Sequence, residues 1–460
     1  MCVGVGEGIA MLVERVRAGW GARVNMDAPG WGGESGPRAL GTGARLRAIV
    51  AGSTGNLIEW YDYFVYAFMA LYFSPSFFSA GDRTAQLLGT AGIFAVGFLL
   101  RPLGGWYFGH FADRHGRRSA MVVSVVMMGV GSILIAILPT YAQIGPLAPL
   151  LLLVGRMIQG FSTGGQYGTA ATYLSEIAFS GRRGFFASFQ YVTLIGGQLL
   201  ALLVLLILQE TLTAEAMQTY GWRIAFLIGA AAAATILLFR HALHETGGRA
   251  PHPEAGRLRA LVPHWRAFAT VLGLTAGGSL IFYVFSTYMQ KYLVNTAHMD
   301  ASAANRLMTA VLIPFALLQP LFGLLSDRIG RRNNMLLFGA LSTLTTVPLL
   351  TLLATTTSAA AAFGLVLCGL AINSIYTSVS GLFKAELFPV HVRALGVSLA
   401  YGIGNALFGG TAEYVALSFK QAGHESWFYW YVTAVCLLSF VTAVLMRDTR
   451  GSDPFGDTAA

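Results

Sequence analysis

Apolar stretches long enough to cross a bilayer recur along nearly the whole chain, and a soluble domain has no interior large enough to hide them all. A hydrocarbon core of ~30 Å needs about 20 apolar residues in a helix. Runs of that kind cover residues 48–73, 86–111, 119–139, 147–177, 184–208 and 222–242, then 266–291, 302–325, 334–353, 358–385, 394–419 and 426–446. Composition agrees, since 11% of the residues are charged where a soluble domain carries about 25%. The fifty-five glycines have no three-residue period, which excludes collagen, and they suit membrane helices whose backbones approach closely. The expected fold class is an all-α membrane protein of twelve transmembrane helices.

Orientation follows from Lys and Arg, which accumulate on the cytoplasmic side of a membrane. With the N-terminus inside, cytoplasmic segments hold 23 of the 30 basic residues. Outer segments hold only Arg83, Arg223, Lys291, Arg306 and Lys420, and Arg101 and Arg156 lie within spans. Both termini are therefore expected in the cytoplasm, for a multi-pass protein of the cell inner membrane. The predicted plan is a disordered N-terminal extension (1–47), a six-helix half (48–242), a central loop with Pro251, Pro253 and Pro263 (243–265), a second six-helix half (266–446) and a tail (447–460). The extension shows no secretory signal pattern; Met26 offers an alternative start.

Several function classes fall away. Cys2, Cys368 and Cys436 are far apart and supply neither a disulfide framework nor a metal site. The formal charge of +9 sits in loops between spans, which fits lipid headgroups and not nucleic acid. No P-loop or nucleophile motif appears, so neither an enzyme nor a primary pump is expected, and no cofactor.

The chain repeats itself. The stretch Gly109-H-F-A-Asp113-Arg114-H-Gly116-Arg117-Arg118 after the second span returns as Gly323-L-L-S-Asp327-Arg328-I-Gly330-Arg331-Arg332 after the eighth. Glu176 and Arg183 after the fourth span return as Glu386 and Arg393 after the tenth. Paired halves with a substrate site between them at mid-membrane are a transporter signature. In each motif the Gly permits close helix approach, and the Asp can accept hydrogen bonds from a helix N-terminus or an Arg. The expected role of these residues is gating, in loops at the cytoplasmic surface.

The paired motifs resemble those of the major facilitator superfamily. GNLIEWYDYFVY (55–66) and RPLGGW (101–106) resemble its metabolite:proton symporter branch, as do FQYVTLIGGQLLA (189–201), YMQKYLVNTA (288–297), AELFPVHVRALGV (385–397) and FGGTAEYVALS (408–418). The resemblance implies two pseudo-symmetric six-helix halves and a monomeric secondary transporter. Its partners would be the lipid bilayer, a proton and a small organic acid, with the dicarboxylate 2-oxoglutarate preferred. Related branches carry shikimate, citrate or proline and betaine on similar frames, and those are the alternatives. A non-transporting membrane sensor is a distant one, because neither tail is long enough for an output domain.

Charges inside the membrane are costly and mark function. At ~1.5 Å of rise per residue, Arg101 lies roughly 18 Å from Asp113, near the midplane, and Asp62 roughly 21 Å up the first span. Arg101 is the expected anion anchor, because its guanidinium forks toward a carboxylate and keeps its charge. The stretch Gly155-Arg156-M-I-Q-Gly160 resembles helix 4 of proton-coupled sugar porters, whose Arg pairs with an Asp placed like Asp62. The resemblance thus implies proton coupling through an Asp62–Arg156 pair, with Glu59 one turn below Asp62. In the fourth span the branch commonly reads GGEYG, whereas here Gln166 replaces the Glu, so that position can hydrogen-bond a substrate but cannot titrate. Gln198, Tyr283 and Tyr376 are further substrate-binding candidates. Lys291 and Lys384, near span ends, are expected to snorkel to the interface. Glu413 is a second-half acid with no partner evident from sequence.

Overall fold

In the computed structural model residues 42–79, 82–115, 117–164, 182–240, 258–389 and 392–447 are described, and every regular element among them is helical. By contacts the chain divides into residues 1–49 and residues 50–460, and the interactions below belong to the second unit. The helical spans are α1 (Thr42–Phe77), α2 (Arg83–Leu99 continued as Arg101–His115), α3 (Arg117–Ile137), α4 (Leu147–Thr163), α5 (Arg183–Thr211) and α6 (Trp222–Arg240). They continue as α7 (Trp265–Tyr283, Val284–Tyr288 and Met289–Asn295), α8 (Ala301–Ile329), α9 (Arg331–Thr355), α10 (Ala359–Thr377 and Ser380–Glu386), α11 (Arg393–Gly404, Asn405–Gly409 and Ala412–Gln421) and α12 (Glu425–Leu445). Among the described residues, seven helices are individually long and apolar enough to cross a membrane.

Consecutive spans run antiparallel, so even-numbered spans end where odd-numbered ones begin. That surface is called the basic face below, and the opposite one the far face. Sequence reading places D-R-x-G-R-R in loops, but the structure makes the second copy a corner. There α8 runs to Ile329, α9 starts at Arg331, and Gly330 alone turns the chain at φ 89°. A positive φ costs glycine little and other residues more, so one residue replaces a loop. In the first copy α2 reaches His115 and α3 starts at Arg117. Gly116 and the side chains at Gly109, Asp113, Arg114 and Arg117 lie outside the described residues, as do Gln166 and Glu176.

Several of the described spans are interrupted. Pro102 has no N–H to offer the Phe98 carbonyl, and α2 is interrupted just before it, at Leu100. The turns Val284–Tyr288 in α7 and Asn405–Gly409 in α11 are π-helical, a form frequent at functional sites. Close approach of α2 and α4 depends on missing side chains. A Cβ on Gly104, Gly160 or Gly164 would overlap the backbone oxygen of Phe161, Gly97 or Arg101, respectively. This backbone-to-backbone seam brings Arg101 and Arg156 into one interior.

Candidate functional site

Arg101 opens the second segment of α2 and is 5% exposed. Its guanidinium carbon lies 4.1 Å from the ring centres of Tyr63 and Phe98 and 5.4 Å from that of Trp60. Desolvated cation–π contacts are worth about 2 kcal/mol or more, which offsets part of the cost of burying a charge. The rings leave two of its nitrogens free for a ligand, since Nε and Nη2 have no hydrogen-bond partner among the described residues. Beside it lies a cavity lined by Asn56, Glu59, Trp60, Thr163 and Tyr401, with about 20 Å³ of space. That is room for roughly one water. The site is closed down around Arg101.

Asp62 and Arg156 do not form the direct pair expected from sequence. Ser132 on α3 donates to Asp62 Oδ2 at 2.5 Å, Gln159 Nε2 donates to Ser132 Oγ at 2.8 Å, and Arg156 Nη1 donates to Gln159 Oε1 at 2.7 Å. All four side chains are buried. The physical reason is that Arg156 spends its planar face on aromatic rings, lying 4.2 Å from Tyr66, 4.9 Å from Tyr63 and 5.1 Å from Phe94. Asp62 meanwhile turns toward α3 and α6, where a Cβ on Gly229 would overlap its Oδ1. Glu59 points elsewhere and lines the Arg101 cavity. Sequence reasoning missed Ser132 and Gln159 because neutral polar residues carry no charge signal. Their only trace was polarity within an apolar span.

The other candidates divide. Tyr283 joins the Arg101 cage, packing edge-to-face on Phe98 at 5.2 Å, and both Tyr283 and Tyr401 interact electrostatically with Arg101. Gln198 links α5 to the π-turn of α7 through Ser286 Oγ at 3.1 Å, with its Oε1 unused. Tyr376 belongs to a separate cluster with Phe338 and Phe383, at centroid distances of 5.2 and 5.9 Å. Neither lysine snorkels. Lys291 and Lys384 are both 0% exposed, because each is enclosed by neighbouring spans before it could reach an interface.

Contacts between the halves close both faces. On the basic face Asp327 accepts from the amides of Gly184 (2.8 Å) and Phe185 (3.1 Å), capping the start of α5. Arg331 ties Asp327 (2.9 Å) to Glu386 (3.5 Å), so both repeated motifs meet in one latch. Gly323 is needed there, since a Cβ would lie 2.6 Å from the Gly184 oxygen. Of the remaining expected gating residues, Arg393 is buried and donates from Nε to the Phe388 carbonyl at 3.3 Å. Arg183 begins α5 beside the capped amides, and Arg328 sits in the last turn of α8.

On the far face Lys291 pairs with Glu413 at 2.8 Å and donates to the Ala67 carbonyl of α1 at 2.8 Å. This pair supplies the partner that sequence could not find for Glu413. Gln290 and Asn305 extend the seam to Phe68 and Tyr72 of α1. Removing one member of a buried pair strands the other charge at a cost of about 3–5 kcal/mol, whereas removing both is far milder. Lys291→Met alone should therefore lower thermal stability in detergent sharply, and Lys291→Met with Glu413→Gln should recover most of the loss. A double variant no more stable than the single one would contradict the pairing.

The family described as Sugar (and other) transporter matches residues 48–247, and Major Facilitator Superfamily matches residues 274–459. The chain is 56% identical to the alpha-ketoglutarate permease of Escherichia coli K12 over 88% of its own length and 94% of that protein's. It is 32% identical to the citrate-proton symporter of Klebsiella pneumoniae, covering 90% of this chain and 96% of the relative. The crystal structure of a D-xylose-proton symporter superposes with a TM-score of 0.70 at 17% identity, covering 89% of this chain and 99% of that one, which speaks to the fold alone. Two helical halves carrying the same corner motif, closed on a central site, are thus those of a chain that belongs to the major facilitator superfamily.

Proposed function

We propose that this protein is a proton-coupled symporter that carries a dicarboxylate, 2-oxoglutarate by preference, into the cell by alternating access. The observation that carries the reading is Arg101, a buried permanent cation whose Nε and Nη2 have no partner among the described residues, beside an interior cavity. Such a fork is matched to a carboxylate. The name of the Escherichia coli permease supports 2-oxoglutarate as the cargo. Citrate is the second reading, favoured by the Klebsiella relative, and the same anchor suits it.

In this reading the basic face is cytoplasmic, because Lys and Arg gather there. Opening inward breaks the hold of Asp327, braced by Arg331, on the Gly184 and Phe185 amides, and opening outward breaks the hold of Lys291, braced by Glu413, on the Ala67 carbonyl. A proton taken up at Asp62 is reported to Arg156 through Ser132 and Gln159. Uptake of labelled 2-oxoglutarate into proteoliposomes tests the whole proposal. An inward proton gradient should drive accumulation, with citrate competing better than shikimate or proline. Failure of 2-oxoglutarate to enter removes the substrate claim, and entry indifferent to the gradient removes the coupling.

A further inference from the structure

Another cation buried inside this bundle is Lys384, and nothing so far gives it a task. It lies in the short segment Ser380–Glu386 that follows the break in α10. Taking an ammonium out of water is expensive unless compensating groups surround it. Here its Nζ donates to Ser380 Oγ at 2.6 Å and lies 4.2 Å from the ring centre of Tyr401, with Tyr376 at 5.4 Å and Phe383 at 5.5 Å. One of those rings is shared. Tyr401 also lines the cavity beside Arg101. A first-half cation on α2 and a second-half cation on α10 thus share one tyrosine of α11 as a neighbour, the first across the cavity and the second against its ring.

We infer that Lys384 is a second anion anchor, which takes the distal carboxylate of a substrate whose first carboxylate is held by Arg101. This rests on the organic-acid reading above and narrows it to substrates with two separated negative charges. A five-carbon diacid places its carboxyl carbons ~5 Å apart, from four bonds of about 1.5 Å in a zigzag, and so can reach around a phenol ring to cations on either side. A monocarboxylate satisfies one cation only. Because the anchors belong to different halves, a diacid also draws the halves together. Selectivity and closure then have the same origin.

The test is competition for binding to the purified full-length protein in detergent, comparing 2-oxoglutarate with 2-oxovalerate, which has the same five carbons without the distal carboxylate. Wild type should favour 2-oxoglutarate by ~30-fold or more, which is about 2 kcal/mol. Lys384→Met should bring the ratio to within about threefold by weakening 2-oxoglutarate alone, whereas Lys384→Arg should keep most of it. Lys384→Gln serves the same purpose should the Met variant not reach the membrane. An unchanged ratio in the uncharged variants, or a wild type that takes both acids equally well, overturns the second anchor and leaves the transporter reading standing. A wild type that ignores 2-oxoglutarate altogether removes the substrate reading beneath it.

Discussion

Arg101→Ala should abolish 2-oxoglutarate uptake without unfolding the protein. Truncating one partner of a desolvated, hydrogen-bonded charge pair costs about 2–5 kcal/mol, which is roughly 30-fold to several thousand-fold in affinity. Arg101→Lys should fail nearly as badly. An ammonium cannot lie flat between Tyr63 and Phe98 while forking toward a carboxylate. Stability separates this account from a structural one. With Nε and Nη2 bonded to no described residue, Arg101 is held mainly by rings, so its loss should shift thermal unfolding little. If instead Arg101 chiefly neutralises Glu59 across the cavity, the Ala variant strands a buried carboxylate and melts early. Adding Glu59→Gln would then restore stability. Uptake and melting measured on the same preparations decide between the two.

The parts of this molecule visible in sequence are those set by long-range periodicity and net charge. Twelve apolar runs and a duplicated corner motif survive any local misreading, because each recurs. Arg101 and Asp62 were conspicuous because a charge in an apolar run is rare. Where the charges go was not visible. Lys291 and Lys384 sit near span ends, where a single helix would let them snorkel, but α1 and α11 enclose the first and the rings of α10 and α11 the second. Asp62 and Arg156 were joined by family resemblance, whereas Ser132 and Gln159, from two different spans, intervene. Such partners become recognisable only once α3 and α4 are packed. Gly330 shows the same limit in the backbone, since a ten-residue loop signature turned out to need a single left-handed residue.

Both seams between the halves are made in this conformation, and so little central space remains that an exchange of substrate requires one of them to open. The basic-face latch crosses between the halves through the Gly184 and Phe185 amides on Asp327, which Arg331 braces, and the far-face seam through Lys291, which Glu413 braces, on the Ala67 carbonyl, with amide hydrogen bonds from Gln290 and Asn305 beside it. Neither touches Asp62. In the proposed mechanism coupling passes through the helices that carry the relay, α1, α3 and α4, by a change in proton occupancy at Asp62.

Asp62→Asn removes that change while keeping the shape. The Asn carbonyl oxygen can accept the Ser132 hydroxyl as the carboxylate does, so the helices should pack as before and the alternating motion should persist. The expected result is a split. Counterflow of preloaded substrate stays near the wild-type rate, whereas uptake driven by a proton gradient stops at equilibration. Each coupled proton contributes ~1.4 kcal/mol per pH unit, about a tenfold concentration ratio, and that ratio should fall to one. Ser132→Ala should be milder. It leaves the titrating group in place but cuts its link to Gln159 and Arg156, so accumulation should persist with an altered pH profile. Undiminished uphill uptake by Asp62→Asn would place the proton elsewhere, with Glu59 beside Arg101 the next carboxyl group to remove. Loss of counterflow together with uphill uptake would instead make Asp62 a structural acid, because a residue that only couples the proton cannot be needed for an exchange that moves none.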